Sequence, residues 1–159
     1  MLSEMAVKDA ETYAYLAGLI DGEGYLVVIH NRAKSHREKT KHGYARVFEI
    51  RISSMDKWLL ETVQKNVGMG FITTHHHSAC PLPSFELRFF PNQLRLMLPK
   101  LIPYLILKKE LAILMLKMLI EVKSKKPYSI RDSLLTQYEK EFREKYEEIK
   151  ARRGTGEIE

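Results

Sequence analysis

The apolar residues of this sequence change their spacing along the chain, and that change constrains the fold more than any other feature. From residue 10 to residue 21 they recur every three or four positions, which is typical of an amphipathic helix. From residue 44 to residue 53 they alternate with polar residues, which is typical of a strand with one wet face. A unit of two strands and a helix occurs twice. The predicted order is αββαββα, an α+β fold with an antiparallel sheet backed by helices.

Turn residues and helix caps give the predicted boundaries. The elements are a helix over 10–21, strands over 25–29 and 44–53, a helix from a capping box at 53–56 to Gly68, strands over 70–77 and 84–90, and helices starting at Pro91, Leu107 and Ser129. We expect the helix after residue 56 to bury Trp58, Leu59 and Val63. The chain is interpreted as a single domain over 1–159, with a core over 9–122 and a C-terminal helix over 129–150.

Composition narrows the compartment and the class of partner. The chain has 159 residues, enough to form one hydrophobic core, and a net charge of +6, which favours polyanionic partners. Cys80 is the single cysteine, so an internal disulfide is excluded. The most apolar run, 111–120, is interrupted by Lys117 and is much shorter than the ~20 residues of a membrane helix. We expect a soluble, intracellular protein of the cytoplasm or an organelle matrix, with no membrane partner.

The first predicted helix carries a stripe of small residues and ends in two acids. Ala14, Gly18 and Gly22 are spaced four residues apart, so two such helices could approach closely. Pairing two copies about a two-fold axis would bring both copies of Asp21 and Glu23 together. Four carboxylates near one axis repel each other and favour a hard cation with oxygen ligands, such as Mg²⁺.

Residues 16–24 read LAGLIDGEG, which resembles the LAGLIDADG motif of a homing endonuclease family at seven of nine positions. Gly22 stands where the motif has Ala, and Glu23 where it has Asp. Downstream, PYLILKK at 103–109 is similar to the family segment that carries a catalytic-pocket lysine. The resemblance implies the family's αββαββα fold. Because one motif is present, it also implies a homodimer, with Ala14 and Gly18 at the interface.

The resemblance implies an intron-encoded or free-standing enzyme that makes a staggered double-strand break in a long, pseudo-palindromic DNA site. It places a divalent metal, Mg²⁺ or else Mn²⁺ or Ca²⁺, on the Glu23 carboxylate and the Gly22 carbonyl. It also places Lys108 in the catalytic pocket with Asp21, although Lys109 is an alternative if the register shifts by one. The polar pocket residue at the end of the second strand stays open among Arg51, Ser53 and Ser54.

The DNA-facing surface is predicted from charge and alternation. Residues 30–46 hold six basic residues and one acid, which suits phosphate contacts, while the wet strand face suits base edges. The predicted DNA-binding residues are Asn31, Arg32, Lys34, Arg37, Arg46, Glu49, Arg51, Thr73, His75, His77, Glu86 and Arg88. A zinc site in the run 75–77 is not expected, because only two of its three histidines share a strand face.

Two other functions fit the same motif. The family includes maturases that bind intron RNA and assist splicing, and intron RNA is therefore a possible partner. A DNA-binding regulator built on a decayed nuclease is the other alternative, although the intact acid at Glu23 and the lysine at Lys108 argue against it.

Overall fold

The computed structural model describes residues 2–32 and 44–154 and confirms the α+β prediction. The elements are α1 (Leu2–Glu23), β1 (Gly24–Arg32), β2 (Tyr44–Ser54), α2 (Lys57–Val67), β3 (Phe71–His75), β4 (Ser84–Phe89), α3 (Pro91–Leu101), a 3-10 turn (Ile102–Tyr104), α4 (Lys109–Val122) and α5 (Tyr128–Gly154). The αββαββα order is thus present, and two C-terminal helices follow it.

Several boundaries differ from the predicted ones. Helix α1 begins at Leu2, well before the predicted start, and Asp9 lies inside it with its carboxylate accepting from Lys100 Nζ at 3.0 Å. The segment before Asp9 contains good helix formers, so the helix continues through it. Strand β1 extends to Arg32, whereas β3 ends at His75. Helix α5 is longer than predicted at both ends.

The four strands form one antiparallel sheet in the order β1-β2-β4-β3. Alternate residues of the central strands face the helices and form the core. These buried residues are Phe48, Ile50, Ile52, Leu87 and Phe89. The predicted alternation of Tyr44 to Ser53 is therefore confirmed. The other face of the sheet carries polar residues.

Helix α2 packs on the sheet through a face that includes Leu59 and Val63, as expected, but not Trp58. Leu60 and Val63 are buried, but Trp58 is 71% exposed, so the prediction that it is buried is wrong. Trp58 lies two positions before Leu60, about 200° around the helix, and therefore points away from the sheet. The cap is Asp56, whose side chain accepts the Leu59 N–H at 3.1 Å.

Helix α5 packs along α4 and braces the first hairpin. In its first half, Glu139 accepts Arg46 Nε at 2.6 Å and contacts His30 Nε2 at 2.9 Å, while Asp132 accepts Arg46 Nη1 at 3.0 Å. Its far end reaches the end of α1, where Arg153 Nη2 donates to the Asp21 carbonyl at 3.3 Å. None of the helices in 2–32 and 44–154 has both the length and the apolarity to cross a membrane.

Candidate catalytic centre and DNA-facing surface

The Asp21 carboxylate joins the end of α1 to the segment before α4. It accepts backbone N–H groups from Ile106 at 2.8 Å, Leu107 at 3.2 Å and Lys108 at 2.9 Å. These groups directly precede α4, and an anion is favourable at a helix N-terminus. Every hydrogen bond that its side chain makes within the described residues is thus to backbone. Asp21 therefore fixes the relative position of the two segments that the sequence motifs singled out.

The Lys108 ammonium completes this junction from the other side. Its side chain is 5% exposed, and Nζ donates to the carbonyls of Ile20 at 2.6 Å, Asp21 at 3.0 Å and Gly24. An ammonium has three N–H donors, so the three carbonyls satisfy it completely. These carbonyls lie at the negative end of the α1 dipole, where a cation is favoured. Lys108 is therefore buried at the end of α1, whereas its neighbour Lys109 is exposed.

Burial first, and then the positive charge of Arg153, lower the pKa of Lys108 to about 8, against the opposing effect of the negative charges of Asp21 and Glu23. Arg153 was not among the predicted site residues. It lies 132 positions after Asp21, and no spacing rule links a charged residue at the end of a long helix to the end of the first one. The only sequence signal was the pair of arginines in the last turn of α5.

Glu23 differs from Asp21 in its surroundings. Its side chain is exposed, and no hydrogen bond or ion pair reaches its carboxylate from the residues that the structure describes. It lines an open pocket with Ser53, Ser54 and Ser84. Arg51 does not line this pocket, so Ser53 and Ser54 fit better than Arg51 as the polar pocket residue at the end of the second strand.

Gly22 is exposed, and a Cβ built on it would meet no atom within 4 Å. Lys108 Nζ donates to the carbonyls of Asp21 and Gly24, which lie on either side of Gly22 in the sequence, but not to the carbonyl of Gly22. A free carboxylate beside an accessible backbone segment is a set of oxygen donors that a hard cation prefers. Within residues 2–32 and 44–154, no three His, Cys, Asp or Glu side chains converge on a metal-binding position.

Six of the predicted DNA-binding residues share the polar face of the sheet. The register places Arg51 opposite Arg88 and Thr73 opposite Glu86. Glu49 accepts from both arginines, at 2.6 Å from Arg51 Nε and 2.7 Å from Arg88 Nη2. The remaining member, His75, lies 3.0 Å from Thr73 Oγ1. The predicted wet face is therefore one connected polar surface.

Tyr25 also belongs to this face, although it was not predicted to. Its hydroxyl donates to Glu86 Oε2 at 2.5 Å, and burial, followed by the hydrogen bond with Glu86, raises the pKa of Tyr25. The alternation of β1 contained the signal for Tyr25, which follows Glu23 by two positions.

His77, a predicted DNA-binding residue, lies beyond β3, with Nε2 3.3 Å from Ser84 Oγ.

Arg46 is not brought together with this group. It alternates with the polar-face residues of β2 and points to the opposite side of the sheet, where its side chain is 10% exposed and pairs with Glu139 and Asp132. Asn31 and Arg32 belong to β1, but their side chains lie outside the described part, as do Lys34 and Arg37 altogether.

The predicted dimer residues lie on an open side of α1. Ala14 and Gly18 are both exposed, and a Cβ on Gly18 would meet nothing within 4 Å. Two apolar side chains on the same helix, Val7 and Tyr15, are each 56% exposed. Small residues flanked by exposed apolar ones are suited to close helix packing against another surface.

Residues 16–120 match the family model described as LAGLIDADG endonuclease. No curated protein matches the chain. Among solved structures, it resembles homing endonuclease I-CvuI bound to its target with 2 mM Ca, at TM-score 0.67 and 19% identity over 89% of this chain and 96% of that one. I-CvuI on the I-CreI target with 2 mM Mg, described as uncleaved, gives TM-score 0.62 and 22% identity over 82% and 76%.

The meganuclease I-CpaMI, bound to uncleaved DNA, gives TM-score 0.57 and 22% identity, with 70% of this chain covering 36% of that longer one. These likenesses agree with the fold described above. The family match covers the motif helix, the sheet and the segment that carries Lys108. The chain belongs to the LAGLIDADG endonuclease family.

Proposed function

We propose that this chain is a homodimeric homing endonuclease that makes a staggered, metal-dependent double-strand break in a long, pseudo-palindromic DNA site. The observation that carries the proposal is the difference in environment between the two motif acids. Asp21 is fully engaged with backbone N–H groups, whereas the Glu23 carboxylate is exposed, receives no hydrogen bond from residues 2–32 and 44–154, and acts on the buried Lys108 only through its charge. A carboxylate left free at such a junction is available for a ligand.

The donors at this position fit a divalent cation. The Glu23 carboxylate and the Gly22 carbonyl would hold it, and Mg²⁺, Mn²⁺ or Ca²⁺ would each accept such oxygen ligands. When bound, the ion would activate a water molecule and stabilise the oxygen that leaves the phosphodiester. The I-CvuI structures contain Mg or Ca together with DNA, which supports the same chemistry for this chain.

The other residues of the centre position its segments and supply positive charge. Asp21 positions segment 106–108 through its three hydrogen bonds. Lys108 has no free N–H donor while its three carbonyls are engaged, so it favours a phosphate through its positive charge rather than through direct donation. Arg153 adds a second positive charge at the same junction. Both cations would stabilise the negative charge that develops on the phosphate.

A second copy of the chain completes the enzyme. One chain offers one free motif carboxylate and therefore one cut, while two strands must be cut. Pairing through the exposed side of α1, at Ala14 and Gly18, would bring the two α1 ends together. The polar face of the sheet would then lie on each half-site, since strands can enter the major groove.

Cleavage of a randomised DNA library, with sequencing of the cut ends, tests the proposal. The wild-type protein should yield a long pseudo-palindrome with staggered ends in Mg²⁺ and no cuts in EDTA. Glu23→Gln should bind the same site and not cut it. Glu61→Gln is the matched control, because Glu61 is half-exposed on α2 and pairs only with Lys57 among the described residues.

Cleavage by Glu23→Gln at the wild-type rate would contradict the assignment of the metal ligand. Site-specific binding without cutting in any divalent metal would instead favour a regulator on the same fold. A Gly18→Val variant that stays dimeric by light scattering would contradict the proposed interface, since a larger side chain on that stripe prevents close helix approach.

A further inference from the structure

Glu49 is a nearly buried carboxylate on the surface proposed to face DNA. Its side chain is 6% exposed, and one of its oxygens, Oε2, accepts three hydrogen bonds. The donors are Arg51 Nε at 2.6 Å, Arg88 Nε at 3.1 Å and Arg88 Nη2 at 2.7 Å. A carboxylate so enclosed cannot itself reach a base edge.

These contacts hold each arginine by its Nε side, and Arg51 also interacts with the Tyr25 hydroxyl. Arg51 uses only Nε on Glu49, and Arg88 uses Nε and one N–H of Nη2. Arg88 therefore keeps the pair of N–H groups at its Nη end, the geometry that matches two acceptors at once, and Arg51 keeps the Nη donors that Tyr25 does not engage. Arg88 also stacks near the Phe90 ring, at 5.6 Å from its centroid, which restricts it further.

The two arginines are cross-strand neighbours, because Arg51 lies opposite Arg88 in the register of β2 and β4. Adjacent strands are about 4.8 Å apart, and stacked base pairs about 3.4 Å apart. The two forks therefore match neighbouring base pairs. Without the shared carboxylate, two guanidinium groups at this spacing would repel each other and turn apart.

The charge of this group favours bases over phosphates. Glu49 and Glu86 balance Arg51 and Arg88, so the group has no net charge, whereas phosphate binding is driven by net positive charge. Arg88 Nε is also 3.7 Å from Glu86 Oε1. Fixed, paired donors in a neutral surrounding match the O6 and N7 acceptors of guanine, the most common target of arginine in the major groove.

We propose that Glu49 is a positioning residue that fixes Arg51 and Arg88 to read guanines in neighbouring base pairs. This proposal rests on the proposed function. Arg51 lies opposite Tyr25, which follows Glu23 by two residues. The guanines therefore belong to the innermost base pairs that the sheet covers, next to the cleavage position, in each half-site.

Selection from a randomised DNA library in Ca²⁺, followed by sequencing of the bound DNA, tests this assignment. The wild-type protein should select two neighbouring G·C pairs near the centre of each half-site. Arg51→Lys and Arg88→Lys keep the charge but lose the fork, and each should reduce the preference at one of these positions about tenfold or more. Glu49→Gln should reduce it at both positions and leave affinity for non-specific DNA unchanged or higher. Glu61→Gln should reproduce the wild-type preference.

The outcomes separate this inference from the function it rests on. If the wild-type protein selects no site, both fail. If it selects a site that lacks the central G·C pairs, or if both lysine variants keep the full preference, the reading of guanine is overturned and the endonuclease remains. If the two lysine variants reduce the preference for guanine but Glu49→Gln does not, the positioning role of Glu49 is overturned. A thermal melt of each variant identifies any loss of folding, and the lysine variants test the reading independently of Glu49.

Discussion

Replacing Asp21 by Asn should cost the protein stability, because the carboxylate is a structural acceptor. Oδ2 accepts the N–H groups of Ile106 and Leu107, and Oδ1 accepts that of Lys108. The amide can keep its oxygen toward the first two donors, but its NH₂ group then faces the third. Losing one hydrogen bond to a charged acceptor costs about 1.5–3 kcal/mol, and the other two weaken when the charge is removed. We therefore expect a total loss of about 3 kcal/mol in the free energy of unfolding.

Urea unfolding followed by circular dichroism, at one fixed protein concentration, measures this loss. Asp9→Asn is the matched control, since it makes the same change in the same helix. Its side chain is 58% exposed and pairs with Lys100, so the cost should be below about 1 kcal/mol. Glu23→Gln should change stability by less than about 0.5 kcal/mol, because no hydrogen bond or ion pair within the described residues is lost. If Asp21→Asn loses less than about 1 kcal/mol yet abolishes cleavage at the wild-type metal concentration, Asp21 acts in the chemistry and the structural reasoning is refuted.

Three further predictions concern the parts of the fold around the site. The pKa of Lys108 is about 8 in the folded chain and 10.5 ordinarily, so between these values the unfolded chain binds more protons than the folded one. The free energy of unfolding should therefore rise with pH across that window. Urea titrations at several pH values measure this rise, and Lys108→Met should lose it. Gly70→Ala should lower the free energy of unfolding by about 2 kcal/mol, because φ is 111° and a Cβ would lie 2.7 Å from a Leu87 methyl. Thermal melts measure this loss, and a melting temperature like that of the wild type would contradict the prediction. Arg46→Met should lower stability by about 3 kcal/mol, because Glu139 is left buried without its main partner; if it also lowered the salt dependence of DNA binding, Arg46 would contact phosphate after all.

The sequence was most informative where local rules decide the structure. The alternation in 44–53 predicted both the core face and the polar face of β2, because side chains in a strand point to opposite sides. The small-residue stripe ending in Gly22, predicted to allow close approach of a second helix, lies on an exposed side of α1. The motif placed Glu23 at the end of that helix. Each of these features depends on a few neighbouring residues, which a single sequence displays directly.

The remaining features depend on parts of the chain that are distant in sequence. Arg46 carries the same charge as the predicted phosphate contacts, but its role is decided by Glu139, 93 residues later. Trp58 looked like a core residue by type, whereas its exposure follows from which side of α2 meets the sheet. Arg153 reaches the site only because α5 is long enough to return to the end of α1. Charge and periodicity do not contain this information.

The geometry of the candidate centre also explains why the two motif acids are not interchangeable. Asp21 has a short side chain that meets three backbone N–H groups, and a longer one would displace segment 106–108. Glu23 extends into an open pocket, where an additional methylene is accommodated. The one departure from the family motif that concerns an acid therefore falls on the carboxylate that no hydrogen bond from the described residues reaches. A chain with Asp at position 23 should fold as well as this one, and only the position of its free carboxylate should change.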